Sequence, residues 1–594
     1  MPKSPIAVDK AKNFGPTVTR FIQSLQHWRW GVLLAIIVAA GATICSLFGP
    51  KLLGQMTTEA VASYQSTGEI AWDVIGSLAV TLIILYAVSA ILSYIEGLIL
   101  TLVTARYTRL LRSLIIEKIA RLPISYFDQH QFGDTLSRMS NDIGIVANTL
   151  ATVLTQIITS ITMVVGILIM MLTISVTLSV VALIVVPVSL LLVSRFAKLA
   201  QKYFRNQQTI LGALNNTIEE DYAGQSIIKA NSHADLAIDD FARSNQRLYE
   251  TSWRAQFYSS IAFPIVHVCT NLSYVAICVI GGQQAIAGIL TIGSVQAFIQ
   301  YVSQFNRPLS SVSQITANIQ QAVAAAERVF TFLDEPEEVP DPEPAQVVRD
   351  VQGAVEFHDV NFSYYPDRPI IKHFSVKIKP GMQVAIVGPT GAGKTTLINL
   401  LMRFYDPTSG YITIDGVPTR EMRRADVRQL FGMVLQDTWL FSGTIEENLA
   451  YGNTHATHAD IVAATKASSI HHFIESLPHG YNTQISEDSD NISAGEKQLL
   501  TIARAMVANP PMMILDEATS NVDTRTEQLI QDAFTKLTAG RTSFVIAHRL
   551  STIRNSDLIL VMRDGNIVEQ GTHDQLLQQN GFYAELYNSQ FADN

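Results

Sequence analysis

Residues 388 to 396, GPTGAGKTT, have the spacing of a loop that cradles phosphate. Gly388, Gly391 and Gly393, with Pro389, Thr390 and Ala392 between them, let backbone N–H groups approach an anion. Lys394 reaches the β and γ phosphates, and Thr395, followed by Thr396, offers a hydroxyl to Mg²⁺. The loop has its proper setting, because the apolar MQVAIV precedes it as a strand and LINLLMRF follows it as a helix. A second segment, PPMMILDEATSNVD, supplies an apolar strand ending in Asp516, suited to holding Mg²⁺ directly or through water. Glu517 follows, placed to polarise an attacking water. The phosphate loop alone fits kinases and GTPases equally well, so the elements around it must narrow the chemistry.

The chain has 594 residues, 48% of them hydrophobic, which is too long and too apolar for one soluble domain. Apolar runs dominate to about residue 305, and six stretches, near 30–54, 74–100, 148–172, 175–194, 257–281 and 286–305, have the length to cross a bilayer core of about 30 Å. Lys10, Lys12, Arg20 and Arg29 precede the first span, and Arg106, Arg109, Arg112, Lys118 and Arg121 follow the second, so both of those ends face the cytoplasm. The segment GQMTTEAVASYQSTGEIAWD, without Lys or Arg, and the uncharged GGQQAIAG read as outward loops. The polar, basic N-terminus does not read as a cleavable signal peptide. Cys45, Cys269 and Cys278 lie in apolar runs without metal-ligand spacing and imply neither disulfides nor zinc. A net charge of -9 with no basic block argues against nucleic acid as a partner.

Long cytoplasmic segments separate spans two and three and spans four and five, and RYTRLLRSLIIEKIARL keeps a helical apolar period. Two helical hairpins should therefore project beyond the bilayer, with short elements at their tips near 123–134 and 219–231. Loops of that length usually dock onto something, and the second half of the chain is the candidate. Within span two, Glu96 is a costly intramembrane carboxylate that either faces a substrate cavity or a partner, or lies at the interface and reaches headgroups or a neighbouring Arg; His267 raises the same question. Proline and acid in LDEPEEVPDPEPAQ end the helical half. The expected division is 1–29 as a cytoplasmic N-terminal segment, 30–333 as the membrane domain, 334–350 as the linker and 351–594 as the nucleotide-binding domain.

Taken in order, these features resemble the ATP-binding cassette (ABC) exporters in which six membrane helices are fused to one nucleotide-binding domain, and the resemblance covers nearly the whole chain. It implies a helical transmembrane domain plus an α/β P-loop NTPase domain with a helical subdomain. It also implies that Tyr364 in NFSYYP stacks on adenine, with Tyr365 its nearest rival, and that Gln436 in GMVLQDTWLF senses Mg²⁺. Asp523 closes a loop that crosses the dimer interface, and His548 in FVIAHRLST contacts the γ phosphate. ATP and Mg²⁺ are the implied cofactors.

The family's signature, L-S-G-G-Q, opens a helix whose N-terminus faces the ATP held by the opposite domain. Here those positions read Ile492, Ser493, Ala494, Gly495 and Glu496. Ala494 adds a methyl group and Glu496 a carboxylate beside an already negative nucleotide, unless Lys497 neutralises it. With Glu517 and His548 intact, the pattern resembles the consensus-Walker-B subunit of heterodimeric multidrug exporters, in which one ATP site is competent and the other degenerate. The expectation is a multi-pass exporter of amphiphilic small molecules, drugs or lipids, in a bacterial plasma membrane, paired with a second half-transporter; a lipid or peptide exporter and a homodimeric multidrug exporter are the alternatives. No peptidase domain precedes the first span, which speaks against an exporter that cleaves leader peptides.

Overall fold

A computed structural model describes residues 13–130, 132–365, 367–435, 438–486, 492–516, 523–547 and 550–591. Contacts divide the chain into two compact units, one running to Leu122 and resuming over His130–Pro336, the other made of Pro123–Gln129 and the chain from Glu337 onward.

The first unit is helical. An amphipathic helix α1 (Phe14–Ser24) leads into α2 (Arg29–Leu47), which breaks at Phe48 and continues as α3 (Gly49–Thr67). Pro50 in the first turn of α3 accounts for the break, since proline starts a helix well but cannot donate within one. Tyr301, fully buried, donates its hydroxyl to the Leu47 carbonyl at 2.7 Å beside this break. Gly68, at φ +74°, caps α3 in the left-handed conformation. The segment expected as an outward loop is therefore helical as far as Thr67, and only residues 68–71 separate α3 from the next helix.

That helix, α4 (Trp72–Arg121), has 50 residues. At 1.5 Å per residue it is about 75 Å long, against a hydrocarbon core of about 30 Å, so it extends far past any bilayer. Two six-residue helices, α5 (Ile124–Gln129) and α6 (Phe132–Ser137), follow it. Then come α7 (Ile143–Ile174) and α8 (Val176–Ala223), the latter capped by Ser175, whose side chain accepts from the Leu178 N–H. A second tip helix, α9 (Gln225–Ala230), turns the chain into α10 (Ala234–Ser260) and α11 (Ala262–Ile286). Both expected tip elements are thus short helices. Among the described residues, five helical stretches, 26–67, 72–121, 135–174, 176–223 and 234–286, are long and apolar enough to cross a membrane. The sixth helix, α12 (Ile292–Leu333), has the length but not the apolar character: Gln296, Gln300 and Gln304 recur every fourth residue and lay a polar stripe along one face. It also begins six residues later than the expected 286.

Large apolar side chains such as Ile83, Leu102, Leu191 and Leu272 are exposed on these helices, as expected where lipid or a second subunit replaces water. Inside, Leu47, Ile167, Leu178, Ile277, Phe298 and Tyr301 form a core. Gly54 and Gly293 let α3 and α12 touch backbone to backbone, since a Cβ on Gly293 would lie 1.7 Å from the Gly54 carbonyl oxygen.

The second unit is built on two sheets. Strands β1 (Val355–Phe362), β2 (Ile371–Ile378), β4 (Ser409–Ile414) and β5 (Val417–Pro418) pair antiparallel in the order β2-β1-β4-β5. The larger sheet runs β12-β11-β3-β10-β9-β6, from β12 (Asn566–Gly571), β11 (Leu558–Arg563), β3 (Gln383–Val387), β10 (Thr542–Ile546), β9 (Met512–Asp516) and β6 (Phe431–Val434). All of its pairings are parallel except that of β12. Its central strands are continuous apolar runs because both faces are covered. Val384, Ile386, Met512, Ile514 and Phe544 pack into one core, and Ala385, Val387, Met513, Leu515 and Val545 into the other. Helices α13 (Lys394–Leu401) and α14 (Arg424–Gln429) serve the first core, while α15 (Ile445–Ala450), α16 (His458–Ala467), α17 (His471–Ser476) and α18 (Ala494–Ala508) form a helical subdomain with the short pair β7 (Gly443–Thr444) and β8 (Gln484–Ile485). Helix α19 (Thr524–Thr538) packs on α18.

Candidate nucleotide site

Parallel pairing aligns the ends of the strands that carry the candidate residues. Ile386 lies opposite Ile546, and Ile546 opposite Asp516, so β3, β10 and β9 finish side by side. Ligands of open parallel sheets bind beyond that edge. The loop after β3 holds Gly388, Gly391 and Gly393 at φ +154°, +84° and +102°, a region that side chains with a Cβ avoid. A Cβ on Gly388 would also lie 2.3 Å from the Met562 carbonyl oxygen. Gly393 is the N-cap of α13, whose first turn begins at Lys394 and aims unpaired N–H groups into the loop. Pro389, Thr390 and Thr395 are exposed, Ala392 and Thr396 buried. Lys394 folds back over the loop, its Nζ donating to the Gly388 carbonyl at 2.6 Å and the Pro389 carbonyl at 3.1 Å. Burial lowers its pKa, and the Asp516 charge works in the opposite direction. An incoming phosphate has only to replace these two carbonyls. A cavity of about 160 Å³ beside the loop is bordered by Gly388, Pro389, Thr390, Lys394, Ala547 and Tyr583.

The Thr395 hydroxyl and Asp516 carboxylate are oxygen donors of the kind that Mg²⁺ takes, and Asp516 is near enough to bias Lys394 electrostatically, so this part of the expected ligand set fits the ion. Gln436, Glu517 and His548 lie outside the described residues.

Tyr364 is half buried. Its ring meets Phe362 edge-on at 4.9 Å and Tyr405 at 5.0 Å, and its hydroxyl donates to Thr396 Oγ1 at 3.3 Å and accepts from Asn399 Nδ2 at 3.2 Å. Its rival Tyr365 is 58% exposed. Tyr364 is therefore the aromatic tied to the helix that follows the phosphate loop.

The signature residues form a capping box. Ser493 is the N-cap of α18, its Oγ accepting from the Glu496 N–H at 3.3 Å. Glu496 Oε2 in turn accepts from the Ser493 N–H and the Ser493 hydroxyl, both at 2.8 Å. The Ser493 proton thus points at a carboxylate of its own chain, and that carboxylate occupies the helix N-terminus where an anion would bind. Ala494 is exposed and Gly495 buried. Asp523 caps α19, its Oδ1 accepting from the Arg525 and Thr526 N–H groups at 3.1 Å, and hydrogen bonding to Thr526 holds its pKa below the usual carboxylate value.

Arg504 escaped the sequence reading. From α18 it donates to the Asn448 carbonyl at 2.8 Å, to Asn448 Oδ1 at 2.9 Å and to the Trp439 carbonyl at 3.0 Å, which locks the signature helix to the segment after Gln436. A single arginine in an amphipathic helix carries no signal of such a partner 56 residues away. In the first unit, Glu96 is 5% exposed and accepts from Thr155 Oγ1 at 2.7 Å. That bond ties it to the neighbouring helix α7. The same unit has an apolar cavity of about 510 Å³ between α1, α2, α7 and α12.

Comparisons with known proteins agree with this arrangement. Residues 32–309 match the model of the ABC transporter transmembrane region, and residues 371–520 that of the ABC transporter family. The chain is 42% identical to the fatty acid ABC transporter ATP-binding/permease protein of Mycobacterium tuberculosis, with 97% of each covered. It is 31% identical to the ATP-dependent lipid A-core flippase of Syntrophus aciditrophicus, covering 95% of this chain and 92% of that one. The solved structure of a bacterial Atm1-family ABC exporter with ATP bound matches with a TM-score of 0.72 at 27% identity, covering 96% of this chain and 98% of that one. Two fused parts, helices suited to a membrane and an ATP-binding sheet domain, are thus shared with these proteins over nearly the whole chain. This chain belongs to the ABC transporters, as a multi-pass membrane exporter half with its own ATP-hydrolysing domain.

Proposed function

We propose that the chain is one of two unequal halves of an ATP-driven exporter of amphiphilic, lipid-like molecules in a bacterial plasma membrane. The observation that carries the unequal pairing is the Ser493–Glu496 capping box, which puts a carboxylate on the signature helix N-terminus. Every site of a homodimer would bear that charge. In a heterodimer, one site joins this chain's Lys394, Thr395, Asp516, Glu517 and His548 to a partner's regular signature, and the other joins the partner's phosphate loop to Ser493–Glu496.

In this reading residues 30–333 form the transport path, 334–350 the linker and 351–594 the motor. Tyr364 stacks on adenine; Thr395, Gln436 and Asp516 hold Mg²⁺; Glu517 polarises water; His548 contacts the γ phosphate; Asp523 orders the crossing loop. ATP binding clamps the two motors together and turns the helices outward, and hydrolysis at the competent site resets them. The apolar cavity of about 510 Å³ and a relative named for fatty acid transport support a lipid-like cargo. Glu96, held by Thr155, serves helix packing in this account.

The test is ATP-driven uptake of a fluorescent fatty acid into inverted vesicles containing this chain alone or together with a second half-transporter from the same organism. Uptake only with both chains is expected. Full uptake with this chain alone sinks the heterodimer, and no directional uptake of any amphiphile with either arrangement sinks the cargo class.

A further inference from the structure

Helix α5, the six-residue tip Ile124–Gln129, clusters with the second unit although its chain neighbours are the long helices of the first. One of its side chains explains part of this: the Tyr405 hydroxyl donates to Asp128 Oδ2. The bond is of the charge-assisted O–H···O⁻ kind, roughly twice as strong as a neutral one. Burial and then the Asp128 carboxylate raise the Tyr405 pKa, so the phenol keeps its proton and remains a donor.

Tyr405 does not end there. Its ring stands edge-on to Tyr364 at 5.0 Å and 88°, and to Phe362 at 5.5 Å and 62°. Tyr364 is bonded through its hydroxyl to Thr396 and Asn399 of α13, the helix that starts at Lys394. Asp128, Tyr405, Tyr364 and α13 therefore form an unbroken series of contacts from the tip of a membrane-derived hairpin to the phosphate loop. Edge-to-face pairs have a preferred geometry, so rotating either ring costs the other its contact.

We propose that Tyr405 is a positioning residue: anchored by Asp128, it fixes the orientation of Tyr364, and so links occupation of the adenine site to the hold on α5. The proposal rests on the adenine-stacking role of Tyr364 given above. It assigns Tyr405 no contact with nucleotide. Both directions of the link follow, since a bound adenine that fixes Tyr364 also stabilises Tyr405 against Asp128.

The test uses the full exporter in lipid nanodiscs. Hydrogen exchange is followed at residues 123–129 with and without a non-hydrolysable ATP analogue, together with the ATP KM and basal kcat. In the unmodified protein the analogue should slow exchange of 123–129 by about tenfold, as expected for one hydrogen bond to a charged group. Tyr405→Phe keeps the ring but not the donor, and Asp128→Asn keeps the size but not the charge. Tyr405→Phe should abolish that protection and raise the ATP KM several-fold while kcat stays within twofold; Asp128→Asn, whose amide oxygen still accepts from Tyr405 but without charge assistance, should reduce both effects, and the double variant should be no worse than Tyr405→Phe alone. Protection and KM unchanged in both variants would overturn the proposal, as would additive losses in the double variant. Tyr364→Ala separates the two readings: loss of analogue affinity supports the adenine role, whereas unaltered affinity overturns that role even if α5 still responds to Tyr405→Phe.

Discussion

Replacing Glu496 by Gln isolates the charge on the signature helix. A Gln side-chain oxygen can still accept from the Ser493 N–H, now 2.8 Å from Glu496 Oε2, so the helix keeps its cap. On the proposed reading, what disappears is one negative charge beside the γ phosphate that the signature would meet when the two motors close. At about 4 Å, two like charges repel by about 1 kcal/mol in water and about 4 kcal/mol at an effective dielectric of 20. At 1.4 kcal/mol per tenfold, Glu496→Gln should lower the ATP concentration for half-maximal closure by between about 5-fold and about 1,000-fold. The assay is energy transfer between fluorophores on the two nucleotide-binding domains as ATP is titrated, in a Glu517→Gln background so that hydrolysis does not empty the site. Ser493→Ala is the control for the cap itself, expected to destabilise by about 1 kcal/mol without removing the charge. Half-maximal closure unchanged within twofold by Glu496→Gln would refute the view that this carboxylate weakens the site.

Other outcomes follow from the same geometry. Glu517→Gln alone should leave labelled ATP bound while steady-state hydrolysis falls by about 100-fold or more; turnover near that of the unmodified protein removes Glu517 from the role of base. Arg20 holds Asp334 bidentately at 2.5 and 2.8 Å, and this bond keeps the Asp334 pKa below its ordinary 3.8. Because the folded pKa is the lower one, the stabilisation is present at and above neutral pH and is lost as pH falls below about 4. Arg20→Gln should therefore lower stability by at most about 1 kcal/mol at pH 7, since both groups are exposed, with the difference vanishing in thermal melts carried into the acid range. Tyr301→Phe removes the bond to the Leu47 carbonyl at the break in the first span, and should cost about 1 kcal/mol in detergent melts; no change would mean that the break needs no help from α12.

How much of this was legible beforehand differed from element to element. The phosphate loop could be read outright, because its glycines are needed where φ is positive and its lysine and threonine have fixed spacing from them. The long hairpins could also be read, since apolar periodicity simply continues past the length of a bilayer in α4 and α8. The break at Phe48 goes unread although Gly49-Pro50 marks it, because Leu52 and Leu53 carry the apolar run of the first span a few residues past it. Ser493-x-x-Glu496 has the form of a capping box, but the sequence alone does not say whether the Glu496 carboxylate turns back onto Ser493 or faces the opposite domain. The partners of Glu96, Arg504 and Tyr405 lie 59, 56 and 277 residues away in the chain, and a single sequence records none of those distances.

The central claim is that the two ATP sites of the assembled exporter differ, with this chain's phosphate loop in the site that turns over. Vanadate trapping with a photoreactive ATP analogue tests it most directly, by counting the nucleotides trapped per dimer and identifying the labelled chain. One trapped nucleotide per dimer, crosslinked to this chain near its phosphate loop, is the predicted result. Two equivalent trapped nucleotides, or label on the partner alone, would contradict it.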